Sequence, residues 1–177
     1  LFGVGGYIGA KKFITPSYSA TRQIVIYHGN LKRYNSLSSD MSMMQTYATA
    51  IKDPKIVNVV SANLRGETDH RYASSELLSK VYATPVNNSI TMTIGVTNVS
   101  TASDAAKIVN ELGSVTKDKL NSLTGAGKVK LLGSAQVSNA DESSASVLQV
   151  TEISLILGLL VGLIVAAIRG VHVHKRH

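Results

Sequence analysis

Sixteen consecutive residues near the end of the chain, Ile153 to Ile168, carry no charge, and Arg169, His172, His174, Lys175, Arg176 and His177 follow directly. An apolar run closed by a basic cluster predicts a transmembrane helix with a short cytoplasmic tail, because Lys and Arg are retained on the inner side. At ~1.5 Å per residue the run reaches roughly 24 Å, against a hydrocarbon core of ~30 Å. Extending the helix back through Val150 and Thr151, and forward past a snorkelling Arg169, closes the difference. The second span is therefore placed at 148–170 and the basic tail at 171–177. A buried helix of a soluble core is the competing reading, and such a helix seldom lacks polar residues on every face.

The opposite end has a similar character. Leu1 to Ala10 is apolar and glycine-rich and is closed by Lys11 and Lys12. We read 1–13 as part of a first transmembrane helix whose beginning is truncated. A signal peptide is the alternative, but no convincing small-x-small cleavage site lies near Lys11. The Lys pair opposes the orientation set by the tail, whose denser charge is expected to dominate. The expectation is a multi-pass membrane protein, with 14–147 extracytoplasmic and both termini cytoplasmic.

Of the net charge of +7, only +3 falls between Ile14 and Val150; the remainder sits on the expected membrane flanks. The basic pI of about 9.7 is thus no nucleic-acid footprint. There is no Trp, only two Phe, and no basic stripe with interleaved aromatics. The absence of Cys removes disulfides, thiolate metal sites and a Cys nucleophile, and it leans away from an animal cell-surface module.

The central segment reads as an α+β domain of about four strands with helices, one of them long. Tyr18 to Tyr27 is rich in β-branched and aromatic residues and predicts a strand. His28 to Asp40 reads as a polar loop and Met41 to Ala50 as a helix. Asp53 caps a further helix that has Pro54 in its first turn. Asn63 to Arg71 is a charged loop, Ser74 to Lys80 a short helix, and Val81 to Val86 a strand that its proline assigns to an edge. Asn87-Asn88 marks a turn. Ser89 to Asn98 then alternates, with Ile90, Met92, Ile94 and Val96 on one face and Thr91, Thr93, Gly95 and Thr97 on the other. Ser100 to Leu123 is the clearest helix, with Ala105, Ile108, Leu112 and Val115 at helical spacing. Thr101 with Asp104 suggests a capping box, and Gly125-Ala126-Gly127 a helix stop. Lys128 to Val137 is a last strand, and Ser138 to Ser146 a polar linker.

No reactive centre emerges, and no catalytic, cofactor-binding or metal-ligating residue is assigned. Thr124 to Val129 fails the phosphate-loop pattern, because Val129 stands where Ser or Thr must hold magnesium. His172, His174 and His177 lie on a basic flank without supporting groups. His70, with Arg65, Glu67, Asp69 and Arg71, is a crowded titratable loop that lacks a placed nucleophile. Gly158 and Gly162, and likewise Gly5 and Gly9, are four residues apart and would let helix backbones approach closely, making them candidate helix-packing positions.

The layout resembles the Wzz-type polysaccharide co-polymerases, the chain-length determinants of bacterial surface polysaccharides. It is most similar to their Gram-positive branch, the modulators of capsule and exopolysaccharide tyrosine kinases. Thr15 to Ala20 followed by Ile24-Val25-Ile26, Met44 to Tyr47, Ile51 to Val57, Ile90 to Val96 and Asp104 to Asn110 carry the resemblance, by their order between two spans. Two departures stand out: Val137 to Val147 lacks the usual prolines, and the domain lacks the long coiled extension of Gram-negative relatives.

The resemblance implies a non-enzymatic protein without cofactors. It implies a membrane homo-oligomer beside a polysaccharide polymerase and its lipid-linked glycan, controlling chain length and export. It also implies a separate cytoplasmic tyrosine kinase as partner, with Arg169, Lys175 and Arg176 as the residues facing it. Two other classes stay open from the residues alone: a bitopic membrane sensor or adaptor unrelated to polysaccharide, and a membrane-anchored hydrolase using the Asp69-His70 loop.

Overall fold

Strand β1 (Ser17–Tyr27) buries Ala20, Ile24 and Ile26 on one face, the period-two pattern its sequence dictates. The computed structural model describes residues 16–28 and 34–143. Both expected spans, the basic tail and the four candidate packing glycines lie outside these residues. Among the described residues no helix is long and apolar enough to cross a membrane.

After β1 come α1 (Tyr34–Ile51), α2 (Pro54–Asn63) and α3 (Ser74–Lys80), then the hairpin β2 (Val81–Pro85) and β3 (Thr91–Val99). The long helix α4 (Ala102–Thr124) leads to β4 (Lys128–Leu132), a 3₁₀ turn at Val137–Asn139 and a short β5 (Asp141–Ser143). The sheet order is β2-β3-β1-β4, with β5 also pairing with β1, and every pairing is antiparallel. The domain is α+β, and β2 is an edge strand, as its proline required.

Register explains which residues form the core. Ile24 pairs with Met92 and Leu131, and Ile26 with Val129. Met92, Ile94 and Val96 are fully buried on the same face. Helix α4 packs across β1, β3 and β4 on that face, burying Ala105, Ile108, Val109, Leu112, Val115 and Leu120. Full burial of side chains of this size contributes roughly 1.5–3 kcal/mol each. Helix α1 lies beside α4 and over β2, contributing Met44, Tyr47, Ala48 and Ile51.

Local signals set several boundaries. Asp53 accepts a 2.8 Å bond from the Lys55 N–H and caps α2 ahead of Pro54. Gly125 adopts the left-handed conformation (φ 67°) that ends α4, where a glycine carries no Cβ penalty. Asn88, also left-handed, turns the β2–β3 hairpin.

Three expectations are corrected. Helix α1 begins at Tyr34, so the predicted loop from His28 to Asp40 is helical over its second half. The serine-rich start has weak propensity, and packing of the later turns carries the helix. Strand β4 stops at Leu132 rather than Val137, because Gly133 turns the chain with a positive φ of 58°. The predicted linker after Ser138 contains β5, whose residues Asp141 to Ser143 pair with Ser19 to Ser17.

Gly127 sits where β4 begins beside the end of β1, and a Cβ there would overlap the Tyr27 carbonyl and the His28 Cα. Both obstacles are backbone, so neither can swing aside. Gly127→Ala should therefore destabilise the domain by about 1–3 kcal/mol, read as a lowered urea midpoint. An unchanged midpoint would mean that the β1–β4 pairing tolerates a shift.

Candidate functional site

With α1 and α4 on one face of the sheet, the opposite face carries no helix among the described residues. The register fixes its composition. Tyr82 lies opposite Gly95, which lies opposite Thr21; Thr84 opposes Thr93, which opposes Gln23. Val25 opposes Lys130, and Tyr27 opposes Lys128. The Tyr82 ring lies over Gly95, where a Cβ would come within 2.5 Å of its Cζ. Burial raises the Tyr82 phenol pKa, and Asp141 at the β5 end of the same face adds to the shift. Lys128 and Lys130 are exposed and form no salt bridge among the described residues. This face is therefore hydroxyl-rich and basic at its β4 side.

The crowded His70 loop turns out to be anchored through its backbone. Asp104 is fully buried at the start of α4, and its carboxylate accepts from the N–H groups of Asp69 (2.9 Å) and His70 (3.2 Å) and from the Tyr72 hydroxyl (3.2 Å). Tyr72 in turn accepts from the Ser100 N–H. The expected capping box is thus only half formed. Thr101 accepts from the Asp104 N–H at 3.1 Å, but the short Asp104 side chain turns to the loop instead of back to Thr101. The His70 ring is exposed, edge-on to Tyr72 and 3.8 Å from Glu76. Arg65, Glu67, Asp69 and Arg71 are all exposed. The arrangement immobilises a loop and sets no nucleophile beside a base.

The sequence assigned no role to His28, which the fold places in a second carboxylate junction. Asp40 of α1 is 2% exposed and accepts from the His28 backbone N–H at 2.8 Å and from Nδ1 at 2.5 Å. Nε2 reaches the Gly125 carbonyl at 2.8 Å. Both ring nitrogens face acceptors, which favours the doubly protonated imidazolium. The His28 pKa is raised accordingly, first by the Asp40 hydrogen bond and then by Gly125. A spacing of twelve residues to Asp40 and ninety-seven to Gly125 left no local signal for this contact.

Arg22 is a further polar group that sequence reading passed over. It lies on the helix-covered face of β1 and donates to Asn110 Oδ1 at 3.3 Å, while its Nε has no partner among the described residues. Burial lowers its pKa. Asn110 also exchanges two 2.9 Å bonds with the Ala135 backbone, fixing the chain after β4. Among the described residues no group of His, Cys, Asp and Glu is placed to hold a metal ion.

A raised histidine pKa contributes stability that is complete below the unfolded value of ~6.5 and lost as pH rises through the folded value. The thermal midpoint should fall across that window, and His28→Gln should flatten this part of the profile in melts between about pH 5.5 and 8.5. Asp104→Ala leaves three donors without their acceptor and should cost about 3 kcal/mol. Denaturant titration checks it, and a loss no larger than for exposed Asp118→Ala would refute the clamp.

No family model matches the chain. It is 27% identical over 161 residues to the capsular polysaccharide biosynthesis protein CapA of Staphylococcus aureus (strain COL), covering 87% of this chain and 67% of that one. The capsular polysaccharide type 8 biosynthesis protein cap8A of the same species is 27% identical over 159 residues, 88% of this chain and 67% of the relative. The probable capsular polysaccharide biosynthesis protein YwqC of Bacillus subtilis (strain 168) is 29% identical over 129 residues, 71% of this chain and half of that one. The chain is a homologue of these capsular polysaccharide biosynthesis proteins.

Proposed function

We propose that this chain is a non-catalytic membrane regulator of capsular or exopolysaccharide chain length and export, and that its cytoplasmic end activates a separate tyrosine kinase. The observation that carries the reading is the extent of the similarity: 161 aligned residues with a capsule biosynthesis protein, covering 87% of this chain rather than one motif. The relatives' names support a part in capsular polysaccharide biosynthesis. Chain-length control, the kinase and the homo-oligomer come from the resemblance of the motifs.

The fold is compatible with two anchors. Ser17 pairs with Ser143, so the described domain begins and ends at neighbouring points. On this reading the flanking apolar segments, 1–13 and 148–170, fix the domain outside the plasma membrane, and Arg169, Lys175 and Arg176 meet the kinase. The glycine pairs Gly5/Gly9 and Gly158/Gly162 pack spans or subunits together.

Disrupting the gene should shift the size distribution of a surface polysaccharide on gels, and an unaltered distribution would sink the proposal. Removing Val171 to His177 should abolish kinase phosphotyrosine on immunoblots while leaving the protein in the membrane. Intact phosphorylation would remove the kinase arm.

A further inference from the structure

We propose that the helix-free face of the sheet is the docking surface for an extended acidic polysaccharide, a placement that rests on the capsule reading above. Three observations carry it. The first is composition: Thr21, Thr84, Thr93 and Gln23 form a floor of polar side chains on neighbouring strands ~4.8 Å apart. Such a floor offers hydroxyl and amide partners to a chain of sugar hydroxyls without enclosing it, as an elongating polymer requires.

The second is the Tyr82 ring. It rests on Gly95 because that position lacks a Cβ, and it is only half-buried. A ring held against a sheet in this way presents an apolar plate with a polar tip. The C–H face of a pyranose is the complementary surface.

The third is charge. Lys128 and Lys130 stand two residues apart on β4, so both ammonium groups rise from this face. No acidic side chain pairs with either among the described residues. The acid on this face, Asp141, lies at the other end, near Tyr82. The polarity orients the ligand: a uronate or other carboxylate sugar sits at the lysines, and a neutral sugar lies on Tyr82. A second copy of the chain fits this face poorly. Its exposed large apolar residues among the described residues, Leu132 on β4 and Val86 just after β2, stand at opposite edges of the sheet, and protein interfaces need a contiguous apolar core.

The test uses the full-length chain in nanodiscs, with oligogalacturonate as the acidic probe and a neutral dextran oligomer of equal length as control. Calorimetric titration should give binding to the acidic probe that weakens with salt. Lys128→Gln with Lys130→Gln should weaken it roughly fivefold and leave the neutral control unchanged. Gln23→Glu, an exposed change in the middle of the floor, should weaken the acidic probe alone. Tyr82→Ala should weaken both. Circular dichroism melts matching the parent keep these losses from being unfolding.

Oligogalacturonate affinity unchanged in the lysine and Gln23 variants would overturn the proposal. So would absence of binding, or self-association that the same variants abolish. The two readings fail separately. A polymer-size shift on gene disruption with unaltered variant binding discards this surface and keeps the function. Altered binding with no size shift does the reverse.

Discussion

The burial of one face of β1 beneath α4 is the contact on which the remaining structure depends. β1 is hydrogen-bonded on both edges, to β3 on one side and to β4 and β5 on the other. Its Ala20, Ile24 and Ile26 meet the apolar stripe of α4 from Ala105 to Leu120. Because side chains alternate with a period of two, this choice also decides what the other face shows. Placing Ile24 and Ile26 in the core obliges Gln23, Val25 and Tyr27 to face the opposite way, with Thr93, Lys130 and Lys128 beside them. The exposed surface is therefore set by the same register that builds the core, and a slip of one residue would destroy both.

Helix α4 is tied at each end by a charged group whose sign suits its dipole. At its N-terminus the buried Asp104 carboxylate meets the positive end of the helix and gathers the 69–72 loop. At its C-terminus His28, held by Asp40, donates to the Gly125 carbonyl. A cation is favoured there for the same reason. Each tie joins the helix to a segment distant in sequence. The two carboxylates are satisfied mainly by N–H groups and a hydroxyl, so neither needs a Lys or Arg partner in the interior.

What could be read from the sequence was what local chemistry determines. The Thr101 cap and the glycine stop at Gly125 bound α4; Asp53-Pro54 opens α2; the alternation from Ile90 to Val96 gives β3 its buried face. What escaped reading depends on distant partners. The first turns of α1 are poor helix formers and are held by the packing of Met44, Tyr47 and Ile51 further on. β5 is three residues long and is a strand only because Ser17 to Ser19 lie beside it. Asp40 and Asp104 look like surface acids in a polar stretch and a helix cap. His28 looks like a strand end. The threonines of β3 were visible as a polar face, but the strand order and the side on which α1 and α4 pack decide whether a helix covers it.

The ends of the described domain give the surface its geometry. β1 spans eleven residues, roughly 35 Å at ~3.3 Å per residue. Its first residues pair with the last described strand, whereas Tyr27 and Lys128 mark its far end. On the proposed reading, the anchors attach at the first end and the basic part of the glycan surface lies toward the second. A polymer resting along the sheet would then contact β1, whose first residues pair with β5. β1 is common to the core, the helix-free face and the paired ends of the described domain, so the register that builds the core also ties the proposed glycan surface to those ends.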